Sequence, residues 1–290
     1  MRRYCGRDFS DEEVEQIREL IKNNPGFHRS QISRELCRMF SWYKADGGLK
    51  EMSCRVAMLR MHRDRVICLP PARHANRVIQ KLVATQATDP TKLIDTPVHQ
   101  LGDISFQLVK AETSRLWNEY IERYHYLGYT PLPGAQLRYF AVINNEIVAL
   151  LGFGASAWQA APRDEFIGWN HERRRQGLAL IVNNARFLIL PWIQSKNLAS
   201  KILSMIARQL PTDWFNRYNL RPVLMETFVE TDRFKGTCYK AANWIYVGKT
   251  KGRGKLGPQK PTVPIKDILL YPLTRNFRKI LNAEKQSATC

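Results

Sequence analysis

The sequence predicts an α/β (α+β) protein in which an N-terminal winged helix-turn-helix segment precedes a larger domain with a mixed sheet and flanking helices. Three short helical patterns and a strand-like run fill residues 1–74, and strand and helix patterns alternate from residue 104 onward. The chain is also strongly basic, with 45 Lys and Arg against 26 Asp and Glu and a formal net charge of +19. Such a charge favours a polyanionic partner, and DNA is the obvious candidate.

The composition limits the class of protein further. At 290 residues and 44% hydrophobic content, the chain can bury the cores of one small and one medium domain. It has no apolar run near the roughly 18 to 20 residues of a spanning helix and no signal-peptide pattern, so we expect a cytoplasmic protein without a membrane partner. The six cysteines form no C-x-x-C pair, which indicates reduced thiols and no metal site.

The first two helices are marked by their boundaries. Residues 10–13 have the spacing of a capping box, which predicts a helix over residues 11–23 that ends before Pro25-Gly26. Ser30 is expected to cap the second helix. A turn at residues 46–48 then separates the second helix from the third.

The third helix, predicted over residues 50–64, is amphipathic in a way that suits DNA. Residues 54–61 place an apolar stripe on one side. Arg55, Arg60 and Arg63 fall within an arc of about 140° on the other side. A helix with this arrangement can lie along phosphates or enter a major groove, although a merely solvated charged face is the alternative interpretation.

A short strand predicted at residues 66–69 completes the N-terminal segment. Three helices followed by a strand is the element order of a winged helix-turn-helix. Lys50 extends the positive edge of the third helix. We therefore expect residues 1–74 to bind DNA, and residues 75–103 to form a helix and a linker.

The larger domain is predicted over residues 104–290. Residues 144–146 separate two apolar runs and predict a hairpin, because Asn tolerates positive φ. The predicted strands lie at residues 104–111, 138–143, 147–153, 187–192, 222–229, 244–247 and 267–271, and the predicted helices at residues 114–126, 171–182, 236–243 and from Ala199 onward.

A candidate anion site lies where the predicted strand at residues 187–192 meets the next helix. A helix N-terminus offers unpaired backbone N–H groups and the positive end of the helix dipole, which together suit a pyrophosphate. The candidate cofactor-binding residues are Gln194, Lys196, Asn197, Ala199 and Ser200.

The element order of the larger domain resembles that of the GCN5-related N-acetyltransferase superfamily. The phosphate-binding pattern of that superfamily matches Gln194 and Ala199, with Asn197 in place of its middle glycine. The resemblance implies an acetyl-coenzyme A type cofactor. It also implies that Tyr239 acts as general acid toward the coenzyme A thiolate, and Asn243 stands four residues later where the superfamily often has glycine.

Two acidic residues bear on this chemistry. In an acyl transfer, Glu226 could act as base directly or through water, or it could simply pair with an arginine. Asp164, beside Arg163, is expected to form an ion pair that shapes the site. A lone histidine, His125, is expected to be structural.

Several longer stretches of sequence resemble a second family more closely. They include residues 49–55, 184–192, 226–229 and 236–244. These strings resemble the family of the A component of Druantia anti-phage systems, whose relatives also occur joined to or beside transposases. This resemblance implies a role in phage defence or mobile-element biology, with other proteins of such a system as partners, and it implies no known reaction.

The end of the chain is basic as well. From Asp232 onward there are 13 Lys and Arg against 3 Asp and Glu. Residues 249–260 combine this charge with glycine, which indicates a loop that lies against phosphates through Lys251, Arg253 and Lys255. A solvated, mobile loop is the alternative.

Three hypotheses follow from the sequence. The first is a DNA-binding component of a defence or transposon-linked assembly. The second is an N-acetyltransferase that uses an acyl-coenzyme A and acts on nucleic acid or protein. The third is a scaffold whose fold has lost its cofactor and holds partners only. The sequence contains neither a P-loop nor an H-E-x-x-H pattern, which argues against NTPase and metalloprotease classes.

Overall fold

The computed structural model describes residues 1–44, 47–72, 82–252 and 263–283. The chain divides into two compact units, unit 1 from Met1 to Gln80 and unit 2 from Lys81 to Cys290. Unit 1 has one hydrophobic core, and unit 2 has two. No helix within the described ranges is long and apolar enough to cross a membrane.

In its described residues, unit 1 contains three helices preceded by a small hairpin. The helices α1 (Asp11–Asn23), α2 (Arg29–Met39) and α3 (Glu51–Arg63) confirm the three predicted helices to within a few residues. The hairpin joins β1 (Arg2–Tyr4) to β2 (Arg7–Phe9) in antiparallel pairing. Strands of three residues are too short for an alternating pattern, so the sequence did not reveal them.

Helix caps explain where α1 and α2 begin. The Ser10 hydroxyl accepts the Glu13 N–H and the Glu13 carboxylate accepts the Ser10 N–H, both at 3.1 Å, which is the predicted capping box. The predicted Ser30 cap is wrong, since His28 is the N-cap of α2. Its Nδ1 accepts the Gln31 N–H at 3.3 Å, and the Gln31 amide oxygen accepts the His28 N–H at 3.0 Å.

The strand predicted at residues 66–69 is also wrong. This segment is buried but irregular, because side chains rather than a neighbouring strand bind its backbone. The Arg18 guanidinium donates to the Val66 carbonyl at 2.8 and 3.0 Å. The Leu69 N–H donates to Nδ1 of His62 at 3.2 Å. The apolar residues of the segment therefore complete the core of unit 1 without forming a strand after α3.

Unit 2 is built on a seven-stranded sheet. In the order β3-β4-β5-β6-β7-β9-β8, every neighbouring pair is antiparallel except β6 and β7, which are parallel. The β4–β5 turn contains Asn144 and Asn145 at positive φ, as predicted. The strands are β3 (Ser105–Leu108), β4 (Gln136–Ile143), β5 (Glu146–Ala155), β6 (Ile181–Ile189), β7 (Leu224–Glu230), β8 (Ile245–Lys249) and β9 (Lys266–Pro272).

Helices cover both faces of this sheet. One hydrophobic core contains α4 and α7 residues, and the core on the other face contains α5 and α9 residues. The mixed sheet with flanking helices confirms the predicted α/β class of the larger domain. The helices of unit 2 are α4 (Ser114–Tyr124), α5 (Ala161–Ile167), α6 (His171–Gly177), α7 (Leu198–Tyr218), α8 (Thr237–Ala241) and α9 (Phe277–Asn282).

Strand β6 begins earlier than predicted. The helix predicted over residues 171–182 ends at Gly177, and the strand predicted to begin at Phe187 begins at Ile181. Asn183 and Asn184 interrupt the apolar pattern within the strand, which is why the sequence placed its start too late.

The segment before the sheet is mostly irregular. Residues 82–103 contain a 3₁₀ turn at Gln86–Thr88 and no α-helix. Residues 75–81, where the rest of the predicted helix and linker falls, lie outside the described residues.

Candidate functional site

A gap opens between the two parallel strands of the sheet. Pairing between β6 and β7 covers three residue pairs and ends at Asn183 and Glu226. Beyond that point β6 remains paired with β5, and β7 remains paired with β9. We call the gap between residues 184–189 of β6 and residues 227–230 of β7 the fork. Polar side chains occupy both faces of the sheet where the fork begins.

On the face covered by α4 and α7, Asn184 lies at the centre of a buried polar cluster. The Tyr239 hydroxyl donates to Oδ1 of Asn184 at 2.7 Å. The Thr227 hydroxyl donates to the Asn184 carbonyl at 3.0 Å. Nδ2 of Asn184 donates to the Arg186 carbonyl at 3.1 Å. These bonds tie β6, β7 and α8 together at a point where the backbone pairing between the two strands has ended.

The surroundings of Tyr239 decide what its hydroxyl can do. Burial raises the pKa of Tyr239 well above its ordinary value, so the hydroxyl stays protonated. The Phe187 and Trp244 rings form T-shaped pairs with the Tyr239 ring, with centroids 6.1 and 5.1 Å away. In this arrangement the hydroxyl proton of Tyr239 is donated to the Asn184 side chain. Tyr239 can act as a general acid only if a ligand replaces the Asn184 amide as the acceptor of that proton.

On the opposite face lies a buried network of four charged side chains, which we call the Arg163 network. Arg163 donates to Glu226 at 2.8 Å and to Asp164 at 2.7 and 2.9 Å. Arg174 donates to the second oxygen of Asp164 at 3.2 Å. Glu226 also accepts the Ala157 N–H at 2.6 Å. Two arginines and two carboxylates therefore balance each other within the fold.

Burial makes this balance necessary. The side chains of Arg163 and Glu226 are both 0% exposed. Burial raises the pKa of Glu226, while Arg163 and the Ala157 N–H oppose that change. The expected ion pair between Arg163 and Asp164 is confirmed, and Glu226 is paired with an arginine, which was the alternative to its role as base.

The predicted cofactor residues lie together at the start of α7. Asn197 has φ +67°, so asparagine adopts the left-handed conformation that glycine favours. The Ser200 hydroxyl donates to the Asn197 carbonyl at 3.0 Å. Oγ of the neighbouring Ser195 is buried and has no hydrogen-bond partner among the described residues.

The geometry of this turn fits an anion. Ala199 and Ser200 are in the first turn of a 21-residue helix, where backbone N–H groups point outward. Gln194 and Lys196 are exposed beside them. The residues present therefore fit the diphosphate of a coenzyme A type cofactor.

The predicted nucleic-acid residues of α3 fall into two groups. Arg60 and Arg63 are exposed, and neither has an ion-pair or hydrogen-bond partner within the described part of the chain. Arg55 instead lies 3.8 Å from Glu51 and donates to the Ser30 hydroxyl at 3.3 Å. It joins α3 to α2, which leaves less of its charge for a ligand.

Two further predicted cations, Lys50 and Lys251, lie at the ends of elements. Lys50 is half-buried at the N-cap of α3. Lys251 is exposed after β8. Arg253 and Lys255 lie outside the described residues. Among the residues that are described, no group of three His, Cys, Asp or Glu side chains could hold a metal ion.

Sequence reasoning missed three residues that organise this region: Asn184, Thr227 and Arg174. Each is buried, yet each belongs to a residue type that is usually exposed. A usable signal was present in the two consecutive asparagines within an otherwise apolar run.

A known protein family includes this region of the chain. The model of the family described as Druantia protein DruA matches residues 62–260, which is more than half of the chain. The chain belongs to the DruA family. The matched stretch contains the fork, the Arg163 network and the first turn of α7 of this DruA-family protein. No curated protein sequence matches the chain.

Several acetyltransferases are among the solved structures similar to the chain. Mutant forms of a spermidine/spermine N-acetyltransferase from Vibrio cholerae are 9% identical, cover 61% of this chain and 99% of that chain, and have a TM-score of 0.38. An aminoglycoside acetyltransferase AAC(6')-Ib in complex with coenzyme A is 14% identical, covers 62% and 100%, and has a TM-score of 0.40. A GNAT-family acetyltransferase from Streptococcus pneumoniae is 10% identical, covers 59% and 99%, and has a TM-score of 0.37. At these scores the likeness carries no argument about the activity of the DruA-family chain.

The Arg163 network generates a prediction about stability. Glu226→Leu leaves the Arg163 charge buried beside a single carboxylate, and we expect the free energy of unfolding to fall by about 3 to 5 kcal/mol. The double variant Arg163→Met with Glu226→Leu removes both charges and should recover at least half of that loss. Urea denaturation of the two variants and the wild type measures both effects. A double variant that is no more stable than Glu226→Leu would contradict the assignment.

His125 generates a prediction about pH. Its Nδ1 accepts the Leu127 N–H at 3.2 Å, and burial, together with Arg186, lowers the pKa of His125 from 6.5 to about 4. The unfolded chain therefore binds a proton in this window that the folded chain does not, and stability falls as the pH falls from 6.5 to 4.

The matched variant is His125→Asn, whose Oδ1 can accept the same N–H without titrating. Thermal melts between pH 4 and 7 should show a weaker loss of stability at low pH for this variant than for the wild type. His99→Asn, at an exposed position, serves as the control. Identical profiles for His125→Asn and the wild type would show that His125 is not held neutral by the fold.

Proposed function

We propose that this DruA-family protein is a DNA-associated component of a Druantia-type defence system or of a transposon-linked system, and that unit 1 contacts the DNA. The observation that carries the proposal is that Arg60 and Arg63 are exposed on α3 and have no ion-pair or hydrogen-bond partner among the described residues. Exposed charges of this kind are available for phosphates.

The packing of unit 1 supports this proposal. Cys54, Met58 and Met61 bury one side of α3 in the core, so the arginines of its other side are presented to solvent on a rigid element. The bond between Arg55 and Ser30 fixes α3 against α2. A helix held in this way can enter a major groove or follow the phosphates.

We assign the role of wing to the β1–β2 hairpin. The Tyr4 hydroxyl donates to Asp64 at 2.9 Å, which places the hairpin beside the C-terminal end of α3. Arg2 and Arg3 are exposed on the hairpin, although Arg2 lies 4.0 Å from Asp11 and Arg3 lies 3.0 Å from Asp8. The unit is then a winged helix-turn-helix whose wing precedes α1 instead of following α3.

The basic segment after β8 is the proposed second contact with DNA. Lys251, Arg253 and Lys255 belong to it, and the net charge of +19 favours a polyanion throughout. Further proteins of the same defence or transposition system are the proposed protein partners.

The test of DNA binding is its dependence on salt. Arg60→Ala with Arg63→Ala should reduce the slope of log Kd against log salt concentration by about two units on duplex DNA, because two phosphate contacts are lost. Fluorescence anisotropy from 50 to 300 mM KCl measures the slope.

The matched control is Arg217→Ala with Arg221→Ala, two exposed arginines of unit 2. This control removes the same formal charge and should keep the wild-type slope. An equal change in both double variants would mean that net charge alone, rather than α3, carries the binding.

A second candidate function is an acyl-coenzyme A dependent transfer to nucleic acid or protein. Positive φ at Asn197 and the unpartnered Oγ of Ser195 favour it, because both suit an anion at the start of α7. When bound, the cofactor would supply the activated acyl group. Tyr239 is the proposed acid, and Glu226 the proposed base once Arg163 releases it.

Coenzyme A should then raise the melting temperature of the wild type. Ser200→Asp places a negative charge that stabilises the first turn of α7 but repels the diphosphate, so the shift should disappear. Ser200→Ala loses only one hydrogen bond within the turn and should keep the shift. A further outcome is that coenzyme A shifts the melting temperature of none of the three proteins while DNA still binds. That result would favour the third hypothesis, a scaffold that has lost its cofactor.

A further inference from the structure

An exposed pair of aromatic rings lies near the open end of the fork. Tyr126 follows α4, and Phe234 follows β7 by four residues. Their ring centroids are 5.1 Å apart at an interplanar angle of 62°. Tyr126 is 37% exposed and Phe234 is 47% exposed, so the pair belongs to the surface. His125 stacks beneath Tyr126 with centroids 4.9 Å apart, which holds that ring in place.

Two arginines flank this pair. The guanidinium carbon of Arg233 lies 5.5 Å from the centroid of the Tyr126 ring, while Nε of Arg233 donates to Glu230 at 2.9 Å. Arg186 of β6 lies close to both rings: burial and then Arg186 lower the pKa of His125, while burial raises the pKa of Tyr126 and Arg186 opposes that rise. We call Tyr126, His125, Arg186, Arg233 and Phe234 the rim.

Arg186 has an unused donor. Its Nη1 donates to the Ala185 carbonyl at 2.8 Å, but its Nε is buried and has no hydrogen-bond partner among the described residues. A buried N–H without a partner costs free energy. Arg186 therefore keeps hydrogen-bond donor capacity that no described residue uses.

Aromatic rings and guanidinium groups at one site suit a nucleobase and its phosphate. Bases stack on exposed aromatic side chains, and the arginines contact the backbone beside them. Lys235 and Lys240, both exposed, follow Phe234 in the chain and add to the positive charge. A peptide partner would explain the apolar surface but not the accompanying cations.

We propose that the rim is a binding site for an unpaired nucleotide of single-stranded DNA. The base stacks on Phe234 and Tyr126, and the adjoining phosphate accepts from Arg186 and Arg233. This inference rests on the proposed association with DNA. It adds that unit 2 binds DNA in its single-stranded form. Duplex contact through α3 and strand contact through the rim are separate sites, so each can fail alone.

The experiment uses the full-length chain and two labelled 20-nucleotide strands. One strand is oligo(dT), and the other has the same phosphates with abasic residues at its central positions. Stacking predicts that the wild type binds oligo(dT) roughly tenfold more tightly than the abasic strand. Phe234→Ala should remove most of this preference, and Phe234→Trp should restore it, with its tryptophan fluorescence quenched by the strand.

The matched control is Phe215→Ala. Phe215 is 41% exposed and has the Arg221 guanidinium 5.4 Å from its ring centroid, so it reproduces an arginine-aromatic pair at another place on unit 2. This control should keep the wild-type preference. Equal affinity of the wild type for both strands, or equal losses in Phe234→Ala and Phe215→Ala, overturns the proposal.

Measurement on duplex DNA separates this proposal from the function proposed for unit 1. Arg60→Ala with Arg63→Ala should weaken duplex binding and leave the preference for oligo(dT) over the abasic strand unchanged. Loss of that preference in the α3 variant would overturn the rim as an independent site.

Discussion

The Arg163 guanidinium is the buried charge on which the arrangement of unit 2 depends. It donates to Glu226 on β7, to the Ala157 carbonyl after β5 and to Asp164 beside it on α5. Asp164 in turn accepts from Arg174 on α6. Because a buried charge without a partner is strongly destabilising, these bonds fix α5 and α6 against one face of the sheet.

The fork begins where the Arg163 network meets the sheet, and it is the part of unit 2 that bears on function. Glu226 is the last residue of β7 that pairs with β6, so the Arg163 network closes one face of the sheet where the fork begins. Asn184, Thr227 and Tyr239 close the other face. Bonded polar groups therefore fix the two strands at the point where their backbone pairing ends. The exposed aromatic rings near the open end lie in the segments that follow α4 and β7.

The two units contribute differently to the proposed role. The match to the DruA family begins at residue 62, so it covers the fork and leaves α1, α2 and most of α3 outside. The family relationship thus concerns mainly unit 2. Of the two arginines of the proposed duplex contact, Arg60 lies outside the family match and Arg63 lies at its very start. Unit 2 and its fork are where a function shared by the family is expected to reside.

Local signals in the sequence determined the helices of unit 1, the Asn144–Asn145 turn and the α/β class, because capping, periodicity and turn chemistry act over a few residues. Tertiary structure alone decided the rest. Arg163 and Glu226 are separated by 63 positions, and no local pattern connects them. Side chains from α1 and α3 bind the backbone of residues 66–69, so a strand-like pattern forms no strand. The start of β6 was missed because Asn183 and Asn184 interrupt its apolar pattern, and the partners of Asn184 lie on β7 and α8, far away in the sequence.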